Sequence, residues 1–290
     1  MAWHRVELGG LLGGHSGVDI DKGRANACIA LARVLSRCSQ GIGIAAFEGG
    51  SASNAIPRDA SAIVGVARDR EADFLSALQR EADALRKELG ESDPGMSISA
   101  SGSPVPAAAL APVPSQDFLA MLAGMPNGLF SMEADMPGLV RSSSNLGTLK
   151  AAAADGYFKA DTLVMVRSSS DEEKERYAAE AETRIQGMEG SGWKVGQHRA
   201  AVSPAWSPNM ASPLLALAKD VYRETHGDWP LVKSTHGGLE CGVFRPIFPH
   251  WDMISLGPDI RYPHSPDERV RVESVGIVYA FLKGLVERLQ

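Results

Sequence analysis

Apolar runs of two different periods alternate along the amino-terminal third of the chain, and that alternation constrains the fold more than any other feature. Val6–Leu12 is apolar and ends at Gly13-Gly14, which reads as a strand entering a glycine turn. An amphipathic helix is expected next, with Asp21 as its cap and Ala27, Ile29, Ala30, Ala32 and Leu35 as its buried stripe. Gly41–Phe47 and Ala60–Ala67 read as strands, separated by a small polar loop. Asp69 is expected to cap a long helix reaching Leu89, because Phe74, Leu78, Leu85 and Leu89 fall on one helical face. Met96–Ala100 reads as a further strand. The order strand, helix, strand, strand, helix, strand predicts a two-layer α/β domain.

A Pro-, Ala- and Ser-rich stretch, Ser101–Pro114, divides this part from a second, altered α/β half. There, Gln116–Ala123 reads as a short helix. Leu139–Ala154 and Tyr157–Arg167 read as paired strands joined at Asp155-Gly156, a strong hairpin signal. Asp171 opens a charged helix to about Met188, and Trp193–Arg199 reads as a strand. Two such halves can bury one continuous sheet, so residues 1–202 are expected to form one domain.

The composition changes near Val202, where Pro204, Trp206, Pro208 and Asn209 make a linker-like passage. Residues 203–290 read as a helix over Pro213–Thr225, a strand near Leu231 and a short helix after Gly237-Gly238. A strand over Met253–Leu256 and a closing helix follow. Asp267 is expected to cap that helix, with Val275, Val278, Leu282, Leu285 and Leu289 as its stripe. This is half of an α/β sandwich, too small to bury its own sheet. It leads to the expectation that a segment is missing in front of the chain.

Composition excludes several classes. Among 290 residues, 44% are hydrophobic and 22% charged, with a net charge of −6 spread along the chain, so no nucleic-acid surface is expected. The basic residues near Arg80, Arg86 and Lys87 alternate with Glu81, Asp83 and Glu88 and read as a solvated helix face. No apolar run approaches a membrane span, and no secretory leader is evident. The 3 cysteines, Cys28, Cys38 and Cys241, follow no zinc-ribbon spacing. Cys28 and Cys38, ten residues apart on one helix, would stand about 15 Å apart, too far to bridge. Reduced thiols and a cytoplasmic setting follow as expectations.

Polar residues in glycine turns beside strands are the candidates for chemistry. His15 in Gly13-Gly14-His15-Ser16-Gly17 can project its imidazole toward a developing oxyanion, or it is a helix-entry histidine with no role. Asn54 sits before Pro57, which extends Ile56, and can aim an amide at a ligand. Arg167, at a strand end, can clamp a carboxylate. Thr235–Gly242 is a tight turn entering a helix, whose amides can face an anion. His264 follows a short strand and precedes a helix, where ligands of open α/β sheets sit. Taken alone, each motif reads more readily as ordinary structure than as a site.

Taken in order, the motifs resemble one family. His15-Ser16-Gly17-Val18-Asp19-Ile20 with Gly23-Arg24-Ala25-Asn26-Ala27, then Asn54-Ala55-Ile56-Pro57-Arg58, resemble the lid of aminoacyl-histidine dipeptidases. Ser144-Asn145-Leu146-Gly147 and Val166-Arg167-Ser168-Ser169 resemble later lid motifs. His236-Gly237-Gly238-Leu239-Glu240-Cys241-Gly242, Gly257-Pro258 and His264-Ser265-Pro266-Asp267-Glu268 are similar to the closing catalytic motifs.

The resemblance implies a two-zinc metallopeptidase that cleaves dipeptides, often with histidine second, including β-alanyl-histidine. It implies a substrate-covering lid, a homodimer formed through that lid, and the carboxy-terminal portion of a zinc-peptidase α/β sandwich. It makes His15 the group that stabilises the tetrahedral intermediate, Asn54 and Arg167 substrate contacts, Gly238 and Glu240 pocket-lining residues, and His264 the terminal zinc ligand. The family's remaining metal ligands lie in an amino-terminal segment without counterpart upstream of His15, so the chain alone is expected to be inactive. Arg141 stands where the family more often has an acidic residue. The competing expectation is a non-catalytic binding or dimerisation module derived from a peptidase lid.

Overall fold

The computed structural model describes residues 1–38, 41–134, 136, 138–154, 157–191, 193–199, 202–207, 209–233, 239–261 and 268–289. They form two compact units, one of residues 1–133 with 140–201 and the other of residues 134–139 with 202–290.

The first unit is built on β1 (Ala2–Gly9), β2 (Gly14–His15), α1 (Ala27–Cys38), β3 (Gly43–Gly49), β4 (Ala55–Ile56), β5 (Ala60–Val66), α2 (Glu71–Leu89) and β6 (Ser97–Gly102). It continues with α3 (Pro112–Ala123), β7 (Gly128–Met132), β8 (Val140–Ala154), β9 (Tyr157–Ser168) and α4 (Asp171–Gln186). One antiparallel sheet runs β6-β1-β5-β3-β8, and β9 lies along the far edge of β8. β8 is long enough to carry two neighbours on its inner edge. Its first part pairs with β7, from Met132↔Val140 to Gly128↔Ser144, and its last part with β3, from Gly49↔Leu149 to Ala46↔Ala152.

The helices cover one face of this sheet. His4, Val6 and Leu8 alternate inward along β1 while Arg5 and Glu7 face out, the period-two pattern of a half-buried strand. Ala27, Leu31, Val34 and Leu35 of α1 and Phe74, Leu78 and Leu85 of α2 pack against Ile44, Phe47 and Val64. The expected two-layer α/β architecture is therefore present. Cys28 and Cys38 are both buried on α1, and burial pushes each thiol up to about 12, so they act as packing residues.

Several local expectations are corrected. Asp21 lies in a single 3-10 turn (Ile20–Lys22). The cap of α1 is Asn26, whose Oδ1 accepts from the amides of Cys28 (3.1 Å) and Ile29 (3.4 Å). Asp69 lies in a 3-10 turn ahead of α2 and makes no capping bond. Trp193–Arg199 is not a strand. Trp193 stacks on Phe118 at 5.5 Å and meets Phe158 edge-on at 5.9 Å, while Arg199 forms ion pairs with Glu175 and Glu182 of α4. Side chains, rather than a ladder, hold this segment. β7 was not expected at all. The residues of the expected hairpin turn, Asp155-Gly156, lie outside the described residues, but the strands on either side pair from Ala154↔Tyr157 to Ser142↔Ser168.

The second unit contains α5 (Pro213–His226), α6 (Glu240–Phe244), β10 (Ile260–Arg261), β11 (Arg269–Val270) and α7 (Val272–Arg288). Ser212 caps α5, and Asp252 accepts from both Ser212 Oγ (2.8 Å) and the Leu214 amide (2.9 Å). Among the described residues no strand forms near Leu231 or over Met253–Leu256. The short β10–β11 pair stands instead. The core is small: Ala218, Val221, Phe281 and Leu285, with Ile254 packed against it. Asp267 lies outside the described residues, and α7 begins at Val272. The packed face of α7 carries Phe281 and Leu285. Val275, Leu282 and Leu289 of the expected stripe are exposed, together with Val272, Tyr279 and Val286. These six recur by threes and fours, a second apolar seam beside the first.

Candidate functional site

His15 sits where β2 turns toward α1, and the turn is braced from three directions. Its backbone amide donates to Asp19 Oδ2 at 2.8 Å, and its carbonyl accepts from the amides of Val18 (3.0 Å) and Asp19 (2.8 Å). The next amide, Ser16, donates to the carbonyl of Asn54 at 2.8 Å. β2 pairs with β4, so that His15 lies opposite Ala55. The glycine before His15 is required by both conformation and space. Gly14 has φ 137°, and a Cβ there would lie 2.6 Å from Asp19 Oδ2 and from an Arg24 nitrogen.

Asp19 is the electrostatic anchor of this turn. Burial pushes its pKa up, but Lys22, the His15 amide and Arg24 together hold it below the usual carboxylate range. Lys22 bonds it directly, and an Arg24 nitrogen lies 3.8 Å away.

The His15 ring is oriented by its own backbone. Gly17 N–H donates to His15 Nδ1 at 3.1 Å. In the neutral ring an accepting Nδ1 leaves the proton on Nε2, which becomes the donor of an exposed side chain. A Cβ at Gly17 would lie 3.1 Å from His15 Cε1 and 3.6 Å from Arg167 Cζ, so the imidazole and the guanidinium flank the same glycine. Arg167 comes from the end of β9, a strand distant in sequence. Burial lowers its pKa, and among the described residues it has no ion pair and its Nε has no hydrogen-bond partner. A buried cationic group without a counter-ion is costly, and an incoming carboxylate removes that cost.

The structure thus brings together His15, Arg167 and the Asn54 loop. Asn54 is half-buried in the turn just before β4. Glu240 is exposed at the first position of α6, in the other unit. Gly238 and His264 lie outside the described residues. Asp19 and Gly17, which fix the backbone and the ring of His15, stand within the sequence motif without a role read for them. The signal for Asp19 is an acidic residue four positions after the histidine, within one turn.

Behind the site, β8 carries an ionic cluster. Arg141 Nε donates to Glu173 Oε1 at 2.9 Å, and its guanidinium also reaches Glu133 at 3.5 Å. Ser131 and Ser142 donate to the second oxygen of Glu173, and Ser169 donates to Glu133. Burial pushes Glu173 up, but these serines and Arg141 prevail and hold it below its ordinary value. The basic residue at position 141 is the shared counter-ion of two carboxylates.

Residues 6–93 match the peptidase dimerisation domain. Over 289 residues the chain is 31% identical to the cytosol non-specific dipeptidase of Escherichia coli (strain K12), covering 98% of this chain and 57% of that protein. The crystal structure of aminoacylhistidine dipeptidase from Vibrio alginolyticus matches with a TM-score of 0.84 and 30% identity, over 99% of this chain and 57% of that one. Residues 6–93 thus carry a peptidase dimerisation domain, and the chain as a whole is similar in sequence and fold to these two dipeptidases. The chain spans little more than half the length of these relatives.

The metal implied by the family resemblance can be tested against the donors in hand. Among the described residues no group of three or more His, Cys, Asp or Glu side chains could hold a metal ion. The described residues do not make up a two-metal centre by themselves.

Proposed function

We propose that this chain supplies the substrate-covering lid, with a carboxy-terminal catalytic portion, of a cytoplasmic metal-dependent dipeptidase acting on Xaa-His dipeptides such as β-alanyl-histidine. The observation that carries the reading is the Gly17–His15 hydrogen bond, which puts the neutral ring's proton on Nε2, beside Arg167, whose Nε has no hydrogen-bond partner among the described residues. In this reading Arg167 clamps the substrate carboxylate, Asn54 offers its amide to the peptide, and His15 Nε2–H donates to the carbonyl oxygen as charge develops on it. The family resemblance gives Gly238 and Glu240 a pocket-lining role and His264 that of a zinc ligand. The other ligands of a two-zinc site, with the water-activating carboxylate, come from a segment that longer relatives carry. A homodimer forms through the lid. The uncovered seam of α7 supports a missing layer, because a helix apolar around much of its circumference is stable only between two layers.

The test is zinc content and β-alanyl-histidine hydrolysis. Each is measured for the chain alone and for the chain mixed with a polypeptide carrying the amino-terminal portion of a relative. Turnover only in the mixture, lost in His15→Ala and Arg167→Ala, is the expected result. Stoichiometric zinc and turnover by the chain alone would refute the shared-site reading. A mixture that binds β-alanyl-histidine without ever hydrolysing it would favour a binding module.

A further inference from the structure

The inner edge of β8 has a gap. β7 pairs with it as far as Ser144 and β3 begins at Leu149, so the backbone of Leu146 faces neither strand on that edge. A buried peptide group must find partners, and here they are side chains. Asn127 Oδ1 accepts the Leu146 amide at 3.0 Å, and Asn26 Nδ2 donates to the Leu146 carbonyl at 2.8 Å. Two carboxamides replace the missing piece of ladder.

Asn145, next to this splice and 1% exposed, reaches the other way. Its Nδ2 donates to the carbonyls of both Ser53 (3.1 Å) and Ala55 (2.8 Å), and its Oδ1 accepts from Asn26 at 3.4 Å. The two carbonyls bracket Asn54. A second observation points to the same contact. A Cβ at Gly147 would lie 2.6 Å from Ala52 O and from Ser53 Cα, so the loop rests directly on the β8 backbone. The Asn54 carbonyl holds the Ser16 amide, and Ala55 lies opposite His15 in the β2–β4 pair.

We propose that Asn145 is a positioning residue for His15, acting through the 52–55 loop, and that Gly147 permits the close approach this requires. The inference rests on the reading of His15 as the substrate-facing donor. Asn145 fixes the height of β4, β4 fixes β2, and the turn that follows places Gly17 N–H on His15 Nδ1. Without the two hydrogen bonds the loop lifts and the Nε2–H form loses its support.

The test uses the full chain labelled with ¹⁵N-histidine, comparing wild type with Asn145→Leu, Asn145→Asp and Gly147→Ala. Wild type is expected to show two well-separated His15 ring ¹⁵N shifts, those of the Nε2–H tautomer. In each variant the two shifts should move toward each other, and Ser16 amide exchange should quicken by about tenfold. Far-UV circular dichroism and the exchange of α2 amides should stay unchanged. A purely structural asparagine would lower stability without moving the His15 ring signals.

An unchanged His15 tautomer in the folded variants overturns the proposal. If Asn145→Leu does not fold, Gly147→Ala, which keeps every asparagine side chain and displaces the loop only by the bulk of its Cβ, decides alone. Titration of wild type with β-alanyl-histidine, in the mixture with the amino-terminal polypeptide, separates the two readings. Tautomer coupling to Asn145 without any dipeptide response leaves the positioning role standing and sinks the dipeptide assignment.

Discussion

Asp19 Oδ2 accepts the backbone N–H of His15 at 2.8 Å, so the carboxylate four residues downstream holds the histidine's own peptide group. Asp19→Asn keeps the shape but loses the charge shared with Lys22 and Arg24. A loss of about 1–2 kcal/mol is expected, measured by equilibrium urea unfolding at neutral pH. The pH dependence has a definite sign. The folded pKa of Asp19 lies below its unfolded value, near 3.9. Its contribution is therefore fully present above that value and is lost as pH falls through the folded pKa. The gap between wild type and Asp19→Asn should close below about pH 4. A gap constant down to pH 2.5 would show that the charge contributes nothing.

Arg141→Met leaves Glu133 and Glu173 facing each other without their shared cation. The expected cost is roughly 2–3 kcal/mol at pH 7, read from the unfolding midpoint. Adding Glu133→Gln should recover part of it by removing one of the two like charges. A double variant less stable than Arg141→Met would contradict this account.

Trp193 completes an aromatic cluster with Phe118 and Phe158, and Phe118 in turn meets Phe47 edge-on at 6.3 Å. Trp193→Ala should cost roughly 2–3 kcal/mol by thermal unfolding, and Trp193→Phe much less, because the loss is one of packing. Equal losses for both would point to the indole N–H instead.

A chain ended near Ala201 should stay in solution at higher concentration than the full chain, because it lacks the exposed apolar seam of α7. Replacing Leu282 and Val286 with lysine in the full chain should narrow the difference without lowering the unfolding temperature, whereas Phe281→Ala should lower stability by about 3 kcal/mol. Ultracentrifugation and scanning calorimetry give both answers. Equal or better solubility of the unaltered full chain would count against the argument.

The backbone of the first unit was legible because its elements obey their own periods. Ala27, Ala30, Ala32 and Leu35 are buried where a helical stripe places them, and the β8–β9 pair runs as the flanking residues of Asp155-Gly156 suggested. What escaped reading depends on partners far along the chain. Gly128–Met132 is short and mixed in polarity, and becomes a strand only because β8 offers a free edge. Trp193 looked like a strand residue because aromatics favour strands, yet tertiary packing decided its conformation. In the second unit, Val275, Leu282 and Leu289 have helical period but stay exposed, so period alone could not say which stripe packs.

The site was legible in part for the same reason. His15 and Arg167 stood out as polar groups at a glycine turn and a strand end, but their meeting around Gly17 is a property of the fold. Asn26, Asn127 and Asn145 are separated by more than a hundred residues at their extremes, and nothing local connects them. The one hint was an asparagine inside a strand, where that residue is disfavoured unless its amide has work to do.

The bare seam of α7 also has a meaning inside a cell. Runs of exposed aliphatic side chains are what chaperones hold and quality-control proteases clear, and a marginal shift in protection changes abundance several-fold. The amount of this polypeptide at steady state would then follow the supply of whatever shields that helix, so that a surplus of one without the other is degraded.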